Sequence, residues 1–123
     1  MSPFSDQYTP LAQLSAAVRT FNAERDWGQY HCPRNLAMAV SVEANELLEL
    51  YLWSRDAGPQ PPVATRTPHV ADEAADVLIC LLNLCDRAGI DLAAAVQQKL
   101  AKNAVRYPAE RARGRLEKAD ELP

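Results

Sequence analysis

Apolar positions along the chain recur at helical spacing in four stretches, and no stretch alternates convincingly in the manner of a strand. The first predicted helix spans Pro10 to Glu24, with Thr9 as N-cap and Pro10 at the first helical position. Leu11, Leu14, Val18 and Phe21 mark its apolar side. A connection from Arg25 to Pro33 carries Trp27, Gly28 and His31. The second helix runs from Arg34 to Arg55. A linker from Asp56 to Thr67 follows, where Gly58, Pro59, Pro61 and Pro62 cannot continue a helix. The third helix starts with Thr67 as N-cap and Pro68 at its first position, and ends near Gly89. The fourth starts at Asp91, a good N-cap, and runs to Arg106, with Pro108 closing it. Residues 1–108 read as one all-α domain, a four-helix bundle-like subunit, and residues 109–123 as a charged tail, mobile or laid along a partner subunit.

Four acidic residues interrupt these apolar stripes. On a helical wheel centred on Glu43, Leu36, Ala39, Val40, Leu47 and Leu50 all fall within about 60° of it. Glu46 sits at the edge of that stripe, and Glu49 lies further round. In the third helix Glu73 sits among Val70, Val77, Cys80, Leu81 and Leu84, with Asp76 three residues on. The spacing i, i+3 puts both members of each pair on one side of their helix. A buried carboxylate is costly unless something positive meets it. A hard divalent cation, Mg2+ with Mn2+ as a substitute, is the simplest partner for four converging acids. The bland alternative is that these acids are solvated or paired with Arg and Lys. A di-iron bundle would instead need Glu-x-x-His, and the only histidines, His31 and His69, do not provide it.

The far side of the third helix carries Leu78, Ile79 and Leu82, so it is apolar almost all round and calls for burial on every side. A small monomer struggles to supply that cover, so an oligomer is expected. A net charge of −3 provides no broad basic field for a nucleic-acid polymer. Three cysteines, Cys32, Cys80 and Cys85, form no pairable framework. They fit a reducing, cytoplasmic setting, with Cys32 and Cys85 as inert filler. No leader is legible at the N-terminus, and no apolar run is long enough to span a bilayer.

The acidic pattern Glu43-Ala-Asn-Glu46 followed by Glu73-Ala-Ala-Asp76 resembles that of the MazG-like all-α nucleoside triphosphate pyrophosphohydrolases. The segments Glu24-Arg-Asp-Trp27, His31-Cys-Pro-Arg-Asn-Leu36, Glu46-Leu-Leu-Glu-Leu-Tyr-Leu-Trp53, Asp76-Val-Leu-Ile79 and Lys99-Leu-Ala-Lys-Asn103-Ala-Val-Arg-Tyr-Pro108 sharpen the likeness to the dCTP pyrophosphatase branch. It covers Leu11 to Pro108. The resemblance implies Mg2+-dependent cleavage of a (deoxy)nucleoside triphosphate, dCTP or a related or modified pyrimidine dNTP, to monophosphate and pyrophosphate. It also implies a homotetramer, a dimer being the alternative, with sites completed near subunit interfaces. Glu43, Glu46, Glu73 and Asp76 match metal-binding positions. Trp27 and Trp53 match aromatics that enclose the base, and His31 lies beside them. Lys99 and Asn103 match phosphate-side or sugar-side positions. The chain departs at Val18 and Cys80, where close relatives of this branch carry a histidine and a tyrosine.

Roles follow from chemistry. Mg2+ offsets charge developing during phosphoryl transfer, and a water is the nucleophile. Glu46 or Glu49 is the candidate for accepting its proton, although for Glu49 a solvated helix face explains the residue equally well. Lys99, Asn103 and Arg106 share a helix face at i, i+4, i+7. Together with Tyr107 they are the candidates for phosphate and sugar contacts, and for Arg106 a merely wet face is slightly favoured. Trp27 and Trp53 could stack on a base, or simply pack. The competing class is a non-catalytic helical nucleotide-binding or oligomerisation module on the same scaffold.

Overall fold

The computed structural model describes residues 3–53 and 67–123. The expected linker from Asp56, with Gly58, Pro59, Pro61 and Pro62, lies outside the described residues, as do Arg55 and the capping role assigned to Thr67. The described residues are all helical or irregular, with no strand: α1 Leu11–Glu24, α2 Pro33–Glu49, α3 Thr67–Ala88, α4 Leu92–Arg106 and a short α5 Ala109–Ala112. One-turn 3-10 segments occupy Trp27–Tyr30 and Ala119–Glu121. None of the described helices is long and apolar enough to cross a membrane.

The chain divides into two compact units, residues 1–90 and 91–123. In the first, α2 packs along α3, and α1 packs against α3 more sparingly. The expected stripe of α2 is the side that turns inward. Leu36 is buried, and Ala39, Val40, Glu43, Leu47 and Leu50 are half-buried, while the intervening residues are exposed. On α3, Val70, Glu73, Val77, Cys80 and Leu81 are half-buried, and Leu82 and Cys85 are buried. Leu78, on its far side, remains exposed, as do Met38, Val42 and Leu48 of α2, whereas Ile79, expected on that side, borders a cavity described below.

Several element ends differ from expectation. α1 begins at Leu11 with Pro10 as its N-cap, because the Thr9 hydroxyl accepts from the Ser5 backbone N–H of the preceding turn rather than capping the helix. α2 stops at Glu49, short of Arg55. Leu-Tyr-Leu-Trp reads as continued helix from its apolarity, but the backbone leaves through a turn in which Trp53 takes a left-handed φ of 61°. An L-residue is rarely held there inside a helix. α3 ends at Ala88 as expected, and Gly89 supplies the left-handed conformation (φ 66°) that stops it.

In the second unit, the Asp91 side chain caps α4 by accepting from the Ala94 N–H at 3.0 Å. Residues 109–123 make contacts of their own. The Arg111 guanidinium donates to the carbonyls of Leu122 (2.7 Å) and Pro123, and Leu122 is buried. One apolar residue and one forked donor therefore fold residues 109–123 back on themselves, where charge alone reads as a solvated extension.

Candidate metal and nucleotide site

Two helices carry the acidic cluster. Glu43 comes from the middle of α2, and Glu73 and Asp76 come from α3, one turn apart. One ligand atom from each of the three lies within 4.8 Å of the others. Glu43 and Glu73 are half-buried and Asp76 is exposed. The Oε2 atoms of Glu43 and Glu73 are shut off from solvent and have no hydrogen-bond partner. Unpartnered carboxylate oxygens inside a protein are expensive, so they imply a missing positive group.

Electrostatics agree. The Glu43 carboxyl is pushed above its ordinary range, first by burial, then by the adjacent Glu46 carboxyl, and then by the charges of Asp76 and Glu73. Glu73 is pushed up by burial and by the charges of Glu46 and Asp76. Glu46 is itself exposed, on the next turn of α2, close enough to raise both acids. An all-oxygen donor set with self-repelling charge suits a hard divalent cation, so the residues present fit one.

Beside the cluster lies a cavity of 560 Å3, of the size that accepts a small ligand. Asp76 is common to both. Apolar walls come from Val18 and Phe21 of α1, Leu36 and Ala39 of α2, and Ile79 of α3. Trp27 closes one side. Its ring meets Phe21 edge-on, with centroids 5.6 Å apart at 68°, and the Arg25 guanidinium covers the Phe21 ring at 3.6 Å. The Trp27 segment is tied to α3 by Arg87, whose Nε and Nη2 donate to the carbonyls of His31 and Gly28, both at 2.7 Å. Asp26 enters that segment in a left-handed conformation (φ 52°), which aspartate tolerates better than most residues. His31 is half-buried and lines the same cavity. The Cys80 thiol, also lining it, is pushed up by burial and by the charges of Glu43 and Asp76, so it stays neutral.

Trp53 and Glu49, candidates of the first unit, fall elsewhere. Trp53 is 92% exposed in the turn after α2 and does not line the cavity. Glu49 is exposed at the last position of α2 and is not part of the three-acid cluster. Lys99, Asn103 and Arg106 lie on α4 in the second unit, the lysine and arginine exposed and the asparagine half-buried. Tyr107 follows them as C-cap, its backbone N–H donating to the Asn103 carbonyl and its ring lying under the Arg106 guanidinium.

Sequence reasoning missed Asn22, Asn83 and Arg87. A signal existed: Glu73, Asp76, Cys80, Asn83 and Arg87 follow one another at intervals of three, four, three and four, a single stripe down α3. All five border the cluster, the cavity or the Trp27 segment.

Comparison with known proteins gives the same picture. The MazG-like family profile matches residues 38–122. Human dCTP pyrophosphatase 1 is 45% identical over 122 residues, covering 98% of this chain and 71% of that protein. The rat enzyme of the same name is 41% identical over 124 residues, covering 98% and 73%. A crystal structure of a pyrophosphatase from Archaeoglobus fulgidus superposes with a TM-score of 0.74 at 39% identity, over 86% of this chain and 99% of that one. An all-helical chain with paired acids on adjacent helices, similar to these proteins over almost its whole length, belongs to the MazG-like family, in its dCTP pyrophosphatase branch.

Proposed function

We propose that the protein hydrolyses a pyrimidine deoxynucleoside triphosphate, dCTP or a related or modified nucleotide, to the monophosphate and pyrophosphate, and that Mg2+ is the cofactor. The observation that carries this reading is the pair of buried, unpartnered oxygens on Glu43 and Glu73 beside an apolar cavity walled by Trp27. The relatives support it, since they are dCTP pyrophosphatases. Glu43, Glu46, Glu73 and Asp76 would hold the ion, Mn2+ being able to replace it. Bound there, the ion offsets phosphate charge and makes water more acidic.

The chain's own residues do the rest. Trp27 offers a face for the base and, with Phe21 and Ile79, excludes water from it. His31 positions the base edge. Glu46, solvent-exposed and one turn from Glu43, accepts the proton of the attacking water, with Glu49 the alternative one turn along. Lys99, Asn103, Arg106 and Tyr107 are assigned to phosphate and sugar. Exposed Leu78, Met38, Val42 and Trp53 support assembly into a homo-oligomer, a tetramer or a dimer.

The test is product analysis. Incubation with dCTP and Mg2+ should release pyrophosphate and dCMP, and chelation should stop it. Release of orthophosphate, or no metal-dependent turnover of any dNTP, would overturn this reading.

A further inference from the structure

Two amides face each other across the wall of the cavity. Asn22 of α1 donates through Nδ2 to Oδ1 of Asn83 of α3, at 2.7 Å, and both residues are half-buried. Both line the 560 Å3 cavity. Val18, one turn before Asn22, and Cys80, one turn before Asn83, line it too, but offer little hydrogen bonding. A lone bond between two amides uses one donor and one acceptor. It leaves a donor on Asn83 Nδ2 and an acceptor on Asn22 Oδ1, and no described protein group takes either. Both asparagines also border a second, more polar opening beside Arg19, Asp86 and Arg87, so the remaining donor and acceptor are accessible to a ligand.

We propose that the Asn22–Asn83 pair reads the hydrogen-bonding edge of the nucleobase and is a specificity-determining element of the site. It presents one donor and one acceptor side by side, the complement of a pyrimidine edge. Both amides can turn over together, which keeps their mutual bond and exchanges donor with acceptor. The pair therefore admits pyrimidines with a 4-amino and with a 4-oxo group. The inference rests on the cavity being the base site, as proposed above.

Replacing either asparagine by aspartate removes that freedom. In Asn83→Asp, Asn22 Nδ2 still donates across the pair, but acceptors alone then face the cavity. A 4-amino base gains relative to a 4-oxo base. Dissociation constants are measured by calorimetry for the α,β-imido analogues of dCTP and dUTP, in the presence of Mg2+, so no turnover is needed. The dUTP-to-dCTP ratio of constants should lie within about tenfold for the wild type, and rise by about fivefold or more in Asn83→Asp, the scale of one hydrogen bond. A smaller rise, or a shift toward the uracil analogue, overturns the proposal, because a merely structural pair would weaken both ligands alike. A wild-type ratio beyond that range overturns the inverting pair. Circular dichroism checks the fold, and if Asn83→Asp does not fold, Asn22→Asp carries the same expectation. A shifted ratio in a protein that releases no pyrophosphate would count against the hydrolase reading alone.

Discussion

Replacing Glu43 by glutamine should stabilise the metal-free protein and abolish its stabilisation by metal. Glu43 Oε2 is buried and unpartnered, and the ligand atoms of Glu43, Glu73 and Asp76 lie within 4.8 Å of one another. Unit charges at that distance repel by about 3–4 kcal/mol at an effective dielectric of ~20, and exposure of Asp76 and Glu46 lowers this to roughly 1–2 kcal/mol. Glutamine keeps the shape and removes the charge, so without metal the melting temperature should rise by roughly 3–8 °C. With Mg2+ at a hundred times its dissociation constant the wild type gains about 2.7 kcal/mol, and the variant should gain little of it. Differential scanning fluorimetry with chelator and with Mg2+ reads both numbers. A lower metal-free melting temperature in the variant, or an undiminished metal shift, would refute the reasoning.

The same charges set the pH response. Glu43 and Glu73 hold their protons to higher pH in the folded protein than at the ordinary carboxyl value of 4.5. The folded state therefore binds more protons than the unfolded chain in that window, and stability falls as pH rises through it. Above the raised values the loss is complete. Metal-free protein should melt higher at mildly acidic pH than at neutral pH, and the difference should shrink in Glu43→Gln. A melting temperature that instead rises with pH across that range would contradict the assignment.

Further expectations follow from other contacts. Asp76→Asn should reduce pyrophosphate release at least ~100-fold with an unchanged far-ultraviolet circular dichroism spectrum, because an amide binds a hard cation poorly; near-native turnover would remove Asp76 from the ligand set. Trp27→Ala should raise KM about tenfold or more, on the scale of one lost base stack; an unchanged KM would make the ring a packing residue. Arg87→Met should loosen the Trp27 segment by removing both carbonyl contacts, raising KM more than it lowers kcat, and Arg87→Lys should recover part of the loss. Equal loss in both parameters, with no recovery by lysine, would show that Arg87 only supports the fold. Light scattering should report a dimer or tetramer, since Leu78, Met38 and Val42 are uncovered in the single chain, and a monomer at micromolar concentration would contradict that assignment.

Much of the architecture was legible because burial and chemistry share one pattern here. The stripe centred on Glu43 predicts which side of α2 turns inward, and Leu36 to Leu50 follow it. The i, i+3 acids of α3 bring Glu73 and Asp76 toward Glu43 in the structure. The end of α2 was not legible, because Leu50 to Trp53 are apolar and nothing in composition marks the left-handed turn at Trp53. The contacts within the tail, from a buried Leu122 and from Arg111 to two carbonyls, were not legible from its run of charges. Asn22 and Asn83 read as ordinary polar positions in sequence. Their meaning comes from α1 and α3 meeting, a contact between residues 61 apart in the chain.

The most direct measurement is anomalous diffraction from crystals soaked in Mn2+. A peak bounded by the carboxylates of Glu43, Glu73 and Asp76, absent in Glu43→Gln crystals, is the expected result. No peak among those side chains at millimolar Mn2+, or a peak only at surface acids elsewhere, would contradict the metal-centred site.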